Sequence, residues 1–165
     1  MLINDEEERG AMKRRADLAA MIEPLRRALL EAENEILRDH DTTMWAYAVL
    51  LGLGTKPVRT QAALADAIGA DRTRIIAILD DLQDRGLITR EPDPADRRAR
   101  LVALTNTGKQ LRDSVQGSIQ RREERLLTTL KTSDRIGFLN ALQQLSAAPV
   151  RDLLSGEAEA ASARH

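Results

Sequence analysis

Between Thr60 and Thr105 the hydrophobic pattern changes period twice, and no other feature of this 165-residue chain constrains its fold so closely. Leu64 and Ile68 mark the inner face of a short helix, Gln61 to Ile68, which Thr60 can cap and Gly69 can end. Asp71 can cap a second helix, Arg72 to Arg85, whose apolar face is Ile75, Ile78, Leu79 and Leu82 and whose end is Gly86. Two such helices across a short glycine-bearing turn predict a helix-turn-helix. Two β-favouring segments follow, Leu87 to Arg90 and Arg100 to Leu104, separated by the turn-forming EPDPADRRA. They predict a hairpin with a polar, arginine-bearing tip.

Both flanks keep a helical period. From Met12 to Arg38, Leu18, Met21, Ile22, Leu25, Leu29, Ile36 and Leu37 recur at helix-face spacings, and Pro24 either opens a second helix or kinks the first. His40, Asp41 and Thr42 break the pattern. Thr43 can then cap a short helix carrying Met44, Tyr47, Leu50 and Leu51, which should stop between Gly52 and Gly54. Thr105 can cap a long helix with the stripe Leu111, Val115, Ile119, Leu126, Leu127 and Leu130. A break near Thr132 and Ser133 precedes a last helix bearing Ile136, Leu139, Leu142 and Leu145, up to Pro149. The expected fold is mainly α with a small β-wing. Residues 1–42 form N-terminal helices, 43–105 the winged unit with its recognition helix at 71–85 and wing at 87–104, 106–154 C-terminal helices, and 155–165 a flexible tail.

Composition narrows the function classes. No cysteine is present, which excludes disulfides, thiolate metal sites and thiol-based sensing within the chain. The acidic start MLINDEEERG has no apolar core and no later run is long enough to span a bilayer, so a soluble, cytoplasmic protein with no membrane partner is expected. With 25 basic and 26 acidic residues the net charge is −1, so bulk charge does not announce nucleic acid. The charge is nevertheless sorted: arginine gathers at the start of the second motif helix (Arg72, Arg74) and at the hairpin tip (Arg97, Arg98, Arg100), with most acids between. No nucleophile–base pair, phosphate loop or paired-carboxylate pattern stands out, so neither catalysis nor a cofactor is expected.

In a winged helix-turn-helix the first turn of the second helix reaches base edges in the major groove, and its N-terminus also favours a phosphate. Those residues here are Arg72, Thr73 and Arg74, while Thr60 and Gln61 are placed to hold the DNA backbone and set register. The stretch from Thr60 to Leu111 resembles the MarR family of bacterial regulators, most specifically in Asp96-Arg97-Arg98 followed by Leu104-Thr105 and Gly108. The resemblance implies that Asp96 helps hold the wing and that Arg98 enters the minor groove, where a narrow groove concentrates negative potential. In the middle of the recognition helix the chain departs from the family pattern: Ile76 and Ala77 offer no hydrogen-bond donor. Ile76 is expected either to touch a thymine methyl or to be buried.

The bland alternatives are definite. Arg72 and Arg74 could be a solvated helix start paired to Asp71 or Asp80, and Arg97, Arg98 and Arg100 an exposed charged hairpin. His40 between two aspartates reads as a polar boundary residue before it reads as a metal ligand. Trp45, Tyr47 and Phe138 read first as core or interface anchors. The family resemblance also implies a cleft for a small aromatic or anionic effector, which Trp45, His40 and Met44 would line. The terminal helices carry more apolar stripe than a winged domain can cover, so a homodimer on double-stranded DNA is expected. The expected function is a transcriptional regulator, most often a repressor, released by an effector. The rival readings are a protein–protein assembly module and a small-ligand carrier.

Overall fold

The computed structural model describes residues 16–54, 61–69, 71–94 and 96–155, apart from the side chains of Gln61, Ala62, Asp66, Ala67, Arg72, Thr73 and residues 96–99. Along the chain run α1 (Leu18–Asp39), α2 (Met44–Leu53), α3 (Gln61–Ile68), α4 (Arg72–Asp84), β1 (Ile88–Asp93), β2 (Asp96–Leu104), α5 (Asn106–Leu127), α6 (Thr132–Ala147) and α7 (Val150–Ser155). Residues up to Gln120 gather into one compact unit, and those from Arg121 onward into a second.

The first unit is organised by its caps. Thr43 Oγ1 accepts the Ala46 N–H at 3.2 Å and Asp71 Oδ1 accepts the Arg74 N–H at 2.8 Å, which starts α2 and α4 where the sequence placed them. Gly69 and Gly86 both sit at φ +67°, the left-handed conformation that lets α3 and α4 stop abruptly. The Thr60 cap lies outside the described residues. Between these ends Val49, Leu50, Leu64, Ile75, Leu79, Leu82, Ile88 and Val102 close one core cluster, so α2, α3, α4 and the hairpin share a single interior. A smaller cluster, Leu37, Tyr47 and Val115 with Met44, Leu111 and Ile119 against it, joins α1 and α2 to the first half of α5.

Three local expectations change. Of the two alternatives for Pro24, opening a second helix falls away: α1 is continuous over 22 residues with Pro24 inside it. The ring removes only one backbone donor, and the apolar spacing on either side continues. The hairpin is longer than its β-favouring segments, because cross-strand pairing carries Pro92 opposite Arg100 and, after an irregularity, Asp93 opposite Asp96. Arg97 and Arg98 therefore belong to β2 instead of a loose tip, in the bulged part of the ladder where proline and extra residues are tolerated. Finally, the helix before Pro149 ends at Ala147 as the sequence predicts, but it is not the last: the Pro149 carbonyl accepts the Asp152 N–H at 3.0 Å and the Leu153 N–H at 3.1 Å and so starts α7.

One buried group is unsatisfied. Thr42, 8% exposed in the turn between α1 and α2, donates its N–H to the Leu37 carbonyl at 2.9 Å, but its hydroxyl has no hydrogen-bond partner among the described residues. A buried orphan hydroxyl costs about 1–3 kcal/mol relative to a satisfied one, whereas an apolar group of the same shape carries no such penalty. Thr42→Val is therefore expected to raise stability by up to about 1 kcal/mol, read as a higher urea midpoint at unchanged slope. A lower midpoint would show that the hydroxyl has a partner in solution.

The second unit is helical. Ile136, Phe138, Leu139, Leu142, Leu145, Leu153 and Leu154 of α6 and α7 are all exposed, as are Leu18, Met21 and Ile22 at the start of α1 in the first unit. No helix among the described residues is long and apolar enough to cross a membrane.

Candidate nucleic-acid interface

The core fixes which face of α4 looks outward. Burying Ile75, Leu79 and Leu82 turns Arg74, Ile76, Ala77 and Asp80 to solvent. Ile76 is 48% exposed, so the choice left open by the sequence between burial and a surface role falls to the surface. Arg74 follows Asp71 in the first turn, with Nε 3.6 Å from Asp71 Oδ2. Its guanidinium carbon lies 5.0 Å from the centroid of the Trp45 ring on α2. The pairing of Arg74 with Asp71 that the bland reading named is thus present, and it is solvent-exposed on both sides, a geometry worth little as a stabilising ion pair.

Other arginines of the motif turn out to hold the scaffold together. Arg90 of β1, its side chain only 16% exposed, donates Nη2 to Asp80 Oδ1 at 2.6 Å and Nε to Gln83 Oε1. Asp80 and Gln83 stand three residues apart on one face of α4. The contact therefore clamps the wing to the recognition helix. Arg85 at the end of α4 donates to the Asp41 carbonyl at 2.7 Å, and Arg112 of α5 donates to the Gly54 carbonyl at 3.0 Å. In the sequence Arg85 and Arg90 stand out only as the ends of a helix and of a β-favouring segment. The available signal was the Asp80, Gln83 spacing opposite a strand that begins two residues after Gly86.

Removal of the Arg90 clamp is expected to cost about 1 kcal/mol, below the usual 1.5–3 kcal/mol for a charged hydrogen bond because Asp80 is half exposed. In Arg90→Ala the amides of β1 should exchange faster while those of α4 keep their protection. Equal exchange in the two proteins would show that the clamp holds nothing.

The hairpin is also fastened at its base. Thr105 Oγ1 lies 2.8 Å from the Gly86 carbonyl and 3.1 Å from that of Leu87, its N–H donates to the Leu87 carbonyl at 3.1 Å, and its oxygen accepts the Gly108 N–H at 3.0 Å. One threonine thus caps α5 and closes the end of β2 against the end of α4. This gives the Leu104-Thr105 and Gly108 signature a physical reason.

The remaining expected site residues are distributed as follows. Arg100 is exposed on β2 opposite Pro92. Asp96, Arg97 and Arg98 lie on β2, Gln61 opens α3, and Arg72 and Thr73 open α4, but all six side chains are outside the described residues, as is the whole of Thr60. The buried carboxylate of the hairpin among the described side chains is Asp93, 5% exposed. His40, Met44 and Trp45, expected to line an effector cleft, are placed as follows. His40 lies at the end of α1 with Nδ1 2.9 Å from the Ile36 carbonyl and Nε2 3.2 Å from Ser114 Oγ of α5. Met44 packs on the Leu37, Tyr47 and Val115 cluster, and Trp45 faces Arg74. Among the described residues no group of three or more His, Asp or Glu could hold a metal ion.

Two helices across a glycine turn, with a two-stranded hairpin clamped to the second, define a winged helix-turn-helix, the class in which one helix and one hairpin are presented together to duplex DNA. The sequence profile of the MarR family matches residues 40–99. A candidate transcriptional regulatory protein for the hcr operon of Thauera aromatica is 28% identical over 125 residues, 73% of this chain and 75% of that protein. The transcriptional regulator HosA of Escherichia coli O111:H- is 38% identical over 71 residues, which span 43% of this chain and 53% of HosA. Among solved structures, the repressor CouR bound to a 23-mer DNA duplex superposes with a TM-score of 0.67 at 27% identity, over 79% of this chain and 92% of CouR. CouR from Rhodococcus jostii RHA1 bound to p-coumaroyl-CoA gives 0.65 at 26% identity over the same shares. Over residues 40–99 the chain is thus similar to the MarR family, and its fold is that of the solved winged-helix regulator CouR.

Proposed function

We propose that the chain represses transcription from the cytoplasm by binding a pseudo-palindromic promoter site as a homodimer, and that a small aromatic or anionic effector releases it. The observation that carries the reading is the clamp of Arg90 on Asp80 and Gln83, which ties the wing to α4 so that the two can act as one reading head. A head of this kind offers the major groove the first turn of α4, with Arg72, Thr73, Arg74 and the exposed Ile76. The adjacent minor groove meets Arg97, Arg98 and Arg100 on β2. Thr60 and Gln61 hold the phosphate backbone and set register, and Asp96 steadies the wing.

Dimerisation is supported by the apolar side chains left in solvent on α1, α6 and α7, far more than isolated surface leucines need. Residues 1–42 and 106–154 supply those helices, 43–105 the reading head, and the tail takes no part. Effector release is supported by CouR, which has been solved with DNA and with p-coumaroyl-CoA. A ligand held near His40, Met44 and Trp45, and bound better by a conformation with mis-spaced reading heads, would lower DNA affinity by that difference.

Footprinting of the DNA upstream of the gene tests the proposal. Two protected half-sites about one helical turn apart, related by a two-fold axis, are expected. Protection of a single half-site would contradict the dimer, and a ligand that binds without altering the footprint would contradict effector release.

A further inference from the structure

Trp45 is the only tryptophan of the chain, and the core of α2 does not require it. The buried residues of that helix are Ala46, Tyr47, Val49, Leu50 and Leu53, while Trp45 stays half-buried in the first turn. Its ring instead receives the Arg74 guanidinium, 5.0 Å from ring centroid to guanidinium carbon. Asp71 lies beside the same group as an opposite charge, with Oδ2 3.6 Å from Nε, and is itself held in place because Oδ1 caps the Arg74 backbone N–H at 2.8 Å.

A guanidinium is planar, with two faces and a fixed fork of donors at its edge. With the ring beside it and the carboxylate at the Nε side, the two Nη groups are the edge left to meet a partner. That edge matches the O6 and N7 acceptors that guanine alone presents in the major groove. Arg74 is also the only donor among the described side chains from residue 74 to residue 79, since Ile75, Ile76, Ala77, Ile78 and Leu79 follow it.

We infer that Trp45 and Asp71 together preset Arg74 for one guanine in each half-site, which makes Trp45 a specificity-determining positioning residue that never touches DNA. Holding a flexible arginine in its bound geometry before contact lowers the entropy lost on binding. The inference rests on the DNA-reading function proposed above. A phosphate would satisfy the same donors, but a phosphate contact weakens all sequences alike when removed, whereas a guanine contact is lost at one base pair.

The test is competition binding between the footprinted site and versions in which each G·C pair of both half-sites is replaced in turn, with wild type, Arg74→Lys, Trp45→Ala and Trp45→Phe. Wild type is expected to lose about tenfold at one symmetry-related pair. Arg74→Lys, which keeps the charge without the fork, and Trp45→Ala should both be indifferent to that pair while discriminating elsewhere as wild type does. Trp45→Phe, which keeps an aromatic face, should retain most of the preference. Arg74→Lys discriminating as wild type does at every pair would overturn the guanine contact. Trp45→Ala behaving as wild type, or losing affinity evenly across all sequences, would overturn the positioning role. Because Arg74 is exposed, the lysine variant reports even if removing Trp45 disturbs folding. A wild-type protein with no sequence preference at all would instead overturn the DNA-reading function, so the two failures are distinguishable.

Discussion

Gly108→Ala is expected to destabilise the protein by about 2–3 kcal/mol, although alanine is the better helix former at an ordinary helical position by about 1 kcal/mol. A Cβ at Gly108 would stand 2.0 Å from the Leu87 carbonyl oxygen and 2.9 Å from its carbon. The obstacle is backbone, and that backbone is committed: the same carbonyl accepts the Thr105 N–H and lies within reach of the Thr105 hydroxyl. Relief requires α5 to move away from the base of the hairpin, which breaks the threonine's contacts with Gly86 and Leu87 together. For a chain of this size the cost corresponds to a melting temperature lower by roughly 5–10 °C. A variant as stable as wild type would show that α5 and Leu87 do not approach so closely in solution.

Arg98→Ala is expected to weaken DNA binding at least tenfold while leaving the melting temperature unchanged. An arginine in the minor groove meets the deepest negative potential of the duplex and also neutralises a counterion-binding site. Its loss should therefore lower affinity on every A·T-rich site and slightly flatten the salt dependence. Arg90→Ala offers the contrasting behaviour: its first effect should appear as mobility of β1, because its donors are spent on Asp80 and Gln83. If Arg98→Ala binds DNA as wild type does, Arg98 is not part of the interface.

The contrast between these two arginines shows what the sequence could and could not convey. Helix starts and stops were legible because they depend on neighbours in the chain: Thr43, Asp71 and Thr105 cap, and Gly69 and Gly86 terminate, each through bonds spanning a few residues. The inner face of α4 was legible for the same reason, since Ile75, Leu79 and Leu82 repeat at the helical period. Strand length was not, because Pro92, Asp93 and Asp96 are poor strand formers alone and join the ladder only through partners across it. The division of arginines into scaffold and surface was hidden likewise. Arg85 reaches the Asp41 carbonyl 44 residues away besides Asp81 four residues before it, and Arg90 finds its acceptors 7 and 10 residues away, where the Asp80, Gln83 spacing was the one local sign of them. The stacking of Arg74 on Trp45 joins α4 to α2 across 29 positions of sequence and has no local signature at all.

The central claim, that α4 and the wing form a DNA-reading head, is tested most directly by fluorescence anisotropy of the purified protein on its own upstream DNA across a salt series. The predicted result is saturable binding that exceeds binding to unrelated duplex by about a thousandfold or more, with log affinity falling linearly and steeply as log salt rises. Binding that is absent, or equal on both duplexes and insensitive to salt, would contradict it.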